Sequence, residues 1–481
     1  MGTWLSYTNP EYDANIQKWT IADDFYTAKF YDSERTIKQY LIKRAQGETD
    51  DSYDERKSLL DYTPVFPHVV DSLAGMLFAA EGKAQRIWDD EAGGALGDPL
   101  DADTTAGQLK RDADGYGTDW ETLMKQAAID LIVMHTKWCL VDGFTEGRDI
   151  PTVHLIDPMK VTNWRYARDG RLVEVLVYES VDVRESIEEP AEAEGQYVRY
   201  TTEGWQRYRE GEGGAVAVTD DGASGEYNYV DRGGQPILPI FRVGLPMRRH
   251  VGHILARKQM VIMNRESSRD HSLRVAEFPK LVLSAGDNLF NSIVKNLEKG
   301  SNVLQANPEG QLHQYISSNH EPARLGGEIL MEKIKNFYIT AFQEYADSAR
   351  VKTATEVQQD LAKGIGAFLE LVAGAVDEIE NGAFWRIEQA MFDNKPGMWG
   401  RASVKRSNDF VPEDRRERAL LIKNMFFPEG VPIGKSAKME LVNHFAEIFN
   451  FQVDEAEVKE SIASKEATTA QDDAFMREFG I

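Results

Sequence analysis

Apolar positions in the first 135 residues recur at three- and four-residue spacing. Glu34 to Arg44, Thr63 to Phe78 and Trp120 to Met134 show this pattern without period-two alternation, which predicts helices. Between them, Trp88 to Thr105 is rich in Asp, Gly and Ala and predicts an acidic connecting loop. From Lys137 to Val243 the period changes to two. Thr152–Ile156, Leu172–Tyr178, Tyr197–Tyr200 and Trp205–Tyr208 are short runs of β-branched and aromatic residues separated by Asp-Gly and Glu-Gly turns, which predicts an antiparallel β-rich subdomain. The glutamate-rich insert Glu185 to Glu194 reads as an exposed hairpin extension.

Helical spacing returns in the second half. Pro246 to Ala276 predicts one long helix. Phe278-Pro279 ends it and forces an extended start to Lys280-Leu281-Val282-Leu283. A small mixed α/β excursion follows to about Tyr315. Gly326-Gly327 reads as a break before a second helix, Glu328 to Ala346, with Leu330, Ile334, Phe337 and Tyr338 on one broad face. Thr353 and Glu356 have capping-box spacing and open the longest pattern in the chain, which keeps the helical period to Met391 for about 38 residues, a helix of roughly 57 Å at 1.5 Å per residue. Pro412 to Phe449 predicts two more helices, and beyond Asp454 the chain turns polar and acidic. The fold class is therefore α+β, mainly helical.

Composition narrows the function. The 481 residues are 42% apolar and 28% charged, which excludes wholesale disorder and suggests roughly three lobes. The formal net charge of −24 argues against a surface that clamps DNA or anionic lipid through counterion release. Cys139 is the single cysteine, so one chain forms neither a disulfide nor a cysteine metal cluster. Met1 to Pro10 lacks a signal-peptide pattern and no stretch reaches the length of an apolar membrane span, so the expectation is a soluble, non-secreted protein.

Candidate chemistry is sparse. Gly430-Val-Pro-Ile-Gly434-Lys435-Ser436 has three residues between its glycines where a phosphate loop needs four, and Pro432 removes an amide donor. Asp112-Ala-Asp114-Gly115 has phosphatase-like spacing but follows Lys110-Arg111 instead of a buried strand, so an Asp-rich turn is expected. Asp101 to Asp112 has Ala106 and Asp112 where a calcium loop needs Gly and Glu, leaving at most weak cation binding. His250 and His253 lie three apart on a helix without a third ligand at metal spacing. Cys139, in Trp138-Cys139-Leu140, reads as a buried inert thiol. No catalytic, cofactor-binding or metal residue is assigned, and neither enzyme activity nor a cofactor is expected.

One charge feature departs from background. Between Pro246 and Lys280 there are eight basic residues against three acidic. Arg248, Arg249, Arg257, Lys258, Arg265 and Arg269 form either a solvated helix face or an interface with an acidic neighbour.

Four segments carry a family resemblance: Ile156-Asp157-Pro158-Met159-Lys160-Val161-Thr162-Asn163-Trp164-Arg165, Pro236-Ile237-Leu238-Pro239-Ile240-Phe241-Arg242-Val243-Gly244, His271 through Leu281 with its aromatic-Pro step, and Thr353-Ala-Thr-Glu356. In order and spacing the chain resembles the portal proteins of tailed bacteriophages over about residues 55 to 395. The resemblance implies a wing at 1–245 with its β-rich part from about 137, and stem helices at 246–276 and 328–347 flanking a clip at 277–327. It also implies a tunnel loop at 348–353, a long wing helix at 354–399 and a crown at 400–481, where the sequence matches the family little. Portals are virion rings at one capsid vertex, commonly dodecameric head-tail connectors, through which double-stranded DNA is packaged and ejected. The expected partners are further copies of the chain, the major capsid protein, a large terminase and a head-tail adaptor. Since the phosphate loop is missing, the packaging ATPase would be the separate terminase, docked on the clip.

The resemblance also sets Arg350 and Lys352 in the tunnel loop. They would either touch passing phosphates or cap the carbonyl end of the preceding helix. The competing readings of the whole chain are another structural virion or adaptor protein, and a nucleotide-dependent enzyme.

Overall fold

The computed structural model describes residues 4–29, 34–43, 48–60, 62–78, 84–89, 95–97, 105–143, 150–182, 193–211, 214–219, 222–231, 233–277, 280–284, 303–306, 314–316, 321–343, 354–391 and 403–406. All belong to a compact unit, Met1–Phe410; a second unit, Val411–Ile481, lies outside them. The expected helices at 412–449, the loop at 430–436, the insert tip at 183–192 and the link at 344–353 therefore fall outside the described residues.

Four helices open the chain: α1 (Pro10–Thr27), α2 (Glu34–Tyr40), α3 (Asp50–Ser58) and α4 (Val65–Leu77). α1 starts where Asn9 accepts from the Glu11 amide at 2.9 Å and Pro10 sets the first helical φ. α4 forms because Val65, Phe66, Val69, Val70, Leu73 and Leu77 share one buried stripe. Strands β1 (Ala84–Asp89) and β2 (Ala95–Gly97) pair where the sequence reads as loop throughout. β1 earns its place by pairing outward with a distant strand described below, a long-range contact that local composition does not reveal.

α5 (Trp120–Met134), capped by Asp119 accepting from the Thr122 amide at 2.9 Å, has the bounds that its periodicity predicts. The β-rich part then runs β3 (Thr136–Asp142), β4 (Thr152–Ile156), β5 (Val161–Tyr166), β6 (Leu172–Asp182), β7 (Ala193–Thr201), β8 (Gly204–Gly211), β9 (Gly214–Ala217), β10 (Ser224–Glu226), β11 (Tyr229–Val230), β12 (Pro236–Ile237) and β13 (Ile240–Gly244). Strands β5 to β8 form an antiparallel meander with β10 and β9 added at β8, and β3 lies between β13 and β4 in a separate sheet.

β3 is buried on both faces. Cys139 and Val141 join the helical core with α1, α4 and α5, whereas Trp138 and Leu140 join Val161, Trp164, Val175, Val177 and Val198 in a second core under the meander. A strand shared by two cores reads as a continuous apolar run, which is what Trp138–Val141 shows.

After β13 comes α6 (Val251–Glu277), then β14 (Lys280–Ser284), β15 (Val303–Ala306) and β16 (Gln314–Ile316) in one mixed sheet, α7 (Glu321–Gln343), α8 (Ala354–Met391) and β17 (Ser403–Arg406). Three boundaries correct the sequence reading. α6 starts at Val251 rather than Pro246, because the Met247 carbonyl receives the His135 ring at 2.7 Å instead of a helical amide. α7 runs through Gly326-Gly327 instead of starting after them; a Cβ built on Gly326 lies 3.7 Å from the Arg269 side chain, so the helix packs closely on α6 there. β17 pairs antiparallel with β1 and so belongs with the N-terminal elements. No described helix is long and apolar enough to cross a membrane.

Candidate functional site: the basic helix and its neighbours

α6 turns Val251, Leu255, Ala256, Ile262 and Met263 inward, and the same face carries buried Gln259, Glu266 and Ser267. Each polar group meets a partner from the N-terminal helices. Gln259 accepts from the Phe66 amide at 2.9 Å and donates to the Thr63 carbonyl at 2.8 Å, supplying a partner that the buried first turn of α4 lacks within its own helix. Glu266 accepts from the Thr63 hydroxyl at 2.6 Å. Asn264 accepts from the Ile42 amide at 2.8 Å and donates to the Tyr40 carbonyl at 2.9 Å. Ser267 receives the Arg56 guanidinium at 3.2 Å, while Arg56 also pairs with Glu48 at 3.0 Å. The helix is thus held at one set height on the N-terminal bundle.

Its first turn is equally constrained. A Cβ on Gly252 would sit 2.0 Å from the Val133 carbonyl oxygen, so α6 crosses the end of α5 at backbone contact. Beside that crossing, the rings of His135 and His250 lie 4.6 Å apart. His135 caps α5 in the left-handed region at φ 68°. Burial lowers the His250 pKa to about 3, reinforced by His135, Lys18 and His253 and opposed by Glu11. Burial likewise lowers that of His135. Neither Nδ1 atom has a hydrogen-bond partner.

The predicted interface residues divide in two. Arg248, Arg249, Arg257 and Arg265 are exposed, while Lys258 and Arg269 are half-buried. Arg269 pairs with the adjacent Asp270 at 2.7 Å. Lys258 lines a groove of about 370 Å³ with Val261 and, from α7, Lys333, Asn336 and Thr340. Arg350 and Lys352 lie outside the described residues.

The other candidates resolve into structural roles. Asp112 accepts from the Gly115 and Gly117 amides at 2.8 and 3.0 Å and Asp114 from the Tyr116 amide at 2.9 Å, an Asp-rich turn. His250 and His253 gain no third metal ligand, and no cluster of three or more His, Cys, Asp or Glu suited to a metal occurs among the described residues. Cys139 is fully buried, which pushes its thiol up to about 12.

Sequence reasoning missed two charged assemblies. Glu380 of α8, fully buried, meets Arg86 of β1 at 3.2 Å and Arg406 of β17, while Arg406 also pairs with Asp377 at 2.5 Å and Arg86 with Glu121 at 2.7 Å. Glu174 bridges Arg165 at 3.0 Å and Arg199 on the open face of the meander, beside a depression of about 530 Å³ walled by Trp205 and Tyr208. Burial would raise the Glu174 pKa, but the two guanidiniums outweigh it and hold it below the usual value. Both arginine forks face that carboxylate, so the depression is a packed salt-bridge site. His135 carried no signal in sequence, being 115 residues from His250.

No family model matches the chain, and no curated protein matches it. Among solved structures, the chain is similar to one in the virion of a native gene transfer agent particle, with 11% identity and a TM-score of 0.37, covering 87% of this chain and 98% of that one. Chains in the neck of the empty particle, computed with C6 symmetry, and of the native particle, computed with C12 symmetry, are similar at 12% and 11% identity. Their TM-scores are 0.37 and 0.35, and each comparison covers 83% of this chain and 95% of the other.

Proposed function

We propose that the chain is the subunit of a phage portal, a homo-oligomeric ring at one capsid vertex that conducts double-stranded DNA during packaging and ejection. The observation that carries this reading is the order of elements after the meander. A 27-residue helix leads into a small mixed sheet, a 23-residue helix returns antiparallel along the first, and a 38-residue helix follows. The four resembling segments fall at junctions between elements, which supports the reading: one runs through β12 and β13 toward α6, one spans the end of α6 and the start of β14, one opens α8, and one spans β4 and β5. In this reading α6 and α7 are the stem, residues 278–320 between them the clip that receives the terminase and adaptor, and the net charge of −24 keeps a moving polyanion from adhering.

Electron microscopy of the purified chain, paired with native mass spectrometry, tests the proposal. Rings with a central channel, commonly of twelve copies, are expected. Monomer at every concentration would overturn it.

A further inference from the structure

The outward side of α7 is unusually apolar for a helix facing solvent. Leu325, Glu328, Met331, Lys335 and Tyr338 fall at spacings of three and four on one stripe, and Leu325, Met331 and Tyr338 are 52%, 67% and 40% exposed. The outward side of α6 carries Arg257, Val261 and Arg265 at successive four-residue steps, with Val261 43% exposed. An aliphatic residue between two arginines faces outward on one helix. On the other, apolar residues stand around Glu328 and Glu332.

We infer that the α6 stripe of one copy docks on the α7 stripe of the next copy, forming the stem-level contact of the ring; the inference rests on the portal reading. Two observations argue for this occupant. The first is complementarity of charge and polarity. The two surfaces are different faces of one chain, the α6 face bordering the groove that Lys258 and Val261 share with α7, and joining unlike faces of successive copies makes a heterologous interface of the kind that closes into rings.

The second is height. Within the chain, Gly326 lies beside Arg269, and Lys258 shares a groove with Lys333, Asn336 and Thr340. The helices are therefore antiparallel, with Arg265 roughly level with Leu330 and Arg257 with Tyr338. Rotation about an axis running along the pair preserves these heights. The next α7 then offers Tyr338 to Arg257, Met331 to Val261, and Glu328 with Glu332 to Arg265. Those contacts are a cation–π pair, an apolar contact and a charge-assisted pair.

Two features of the surface fit this contact. Among the described residues Glu328 pairs with Arg324 at 2.6 Å, with both side chains more than half exposed, so exchanging partners costs little. Lys335 shares the sign of the arginines, but its long stem covers apolar surface while its ammonium reaches solvent.

The test is a charge swap read by native mass spectrometry and electron microscopy at moderate salt. Arg265→Glu is expected to raise the concentration needed for half-assembly at least tenfold, and Glu328→Arg with Glu332→Arg to do the same. Combining all three should restore assembly to within threefold of wild type, which a merely damaged subunit would not do. Met331→Asp, an exposed position that folding does not depend on, should also raise it at least tenfold. If wild type forms rings and neither Arg265→Glu nor Met331→Asp changes their midpoint, the interface is wrong and the portal reading survives. If wild type forms no ring, both fall.

Discussion

α6 and α8 both bury polar side chains along their inner faces, and they do so with opposite chemistry. On α6, buried Gln259 and Glu266 bond to backbone and hydroxyl groups at the start of α4, as Gln259 does with Phe66 and Thr63, and Ser267 receives the Arg56 guanidinium, whose ion pair is with Glu48 and not with α6. On α8, amides also grip strands, with Gln389 accepting from the Val230 amide at 2.6 Å and Asn381 from that of Val404 at 2.9 Å. To these α8 adds Glu380 and Asp377 against Arg86 and Arg406. A severed neutral bond leaves one orphan dipole, whereas a severed ion network leaves a charge in a dry interior. The joint between α8 and the β1–β17 pair is thus the more brittle, and the joint between α6 and the helical bundle the more forgiving.

The sharpest way to break that contrast is Glu380→Ala against Gln259→Ala. The first is expected to destabilise the unit by about 3–5 kcal/mol, the range for removing one partner of a buried ion pair. The second leaves the Phe66 amide unpaired and should cost about 1–3 kcal/mol. Urea denaturation of both variants reads the difference, and equal losses would show that the network adds nothing beyond its hydrogen bonds. Glu121→Ala, at the exposed end of the network, should stay below about 1 kcal/mol.

Backbone proximity offers the next test, within the α6–α7 pair. Gly252→Ala on α6 pushes a methyl group into the Val133 carbonyl and should destabilise by about 2–3 kcal/mol, the upper range for overpacking. Gly327→Ala on α7 meets nothing within 4 Å and should stabilise by about 0.5–1 kcal/mol through the lost freedom of the unfolded chain. Thermal melts of the two variants moving in opposite directions would confirm that α6, not α7, is the fixed member of the pair.

The His135–His250 pair makes the α5–α6 crossing sensitive to acid. The His250 pKa is about 3 folded and 6.5 by reference, so between those values the unfolded chain binds a proton that the folded chain does not. Stability then falls as pH drops through that window and is fully retained above it. At 1.36 kcal/mol per unit, moderated by partial solvent screening, the expected loss is about 1–2 kcal/mol between pH 7 and pH 5. Deuterium-exchange protection factors over 246–254, which remove the slowing of intrinsic exchange in acid, should fall accordingly. In His250→Gln that fall should largely vanish; a variant that tracks wild type would assign the acid response to other groups.

What could be read in sequence follows the range of the interactions involved. α5 and α8 were legible because an apolar stripe is local, and the residues of α6 because charge is a property of composition. β1 was not, since its strand state depends on β17 more than 300 residues away. Nor was the glycine pair in α7, where the helix runs on alongside α6, with Gly326 beside Arg269, despite the helix-breaking tendency of glycine. Of the candidate site, the exposed Arg257 and Arg265 were readable as a basic face. That Arg269 is occupied by Asp270, and that His250 faces His135, needed three dimensions.

The smallest energetic effect is expected where DNA retention would be most affected. Arg350 and Lys352 lie in the stretch between Gln343 and Ala354, which the proposed function makes the tunnel loop. Each phosphate contact there would be too weak to trap DNA, yet summed over a ring such contacts would resist back-slippage of the packaged genome. If instead the two residues only cap α7, where basic groups favour the carbonyl end of a helix, their loss costs about 0.3–1 kcal/mol of helix stability and leaves DNA indifferent. The two roles separate in Arg350→Gln with Lys352→Gln. Ring assembly and melting temperature should stay near wild type while the fraction of particles retaining a full genome falls, with a deficit that shrinks as the salt concentration is raised. Full retention in intact rings would leave capping as their role.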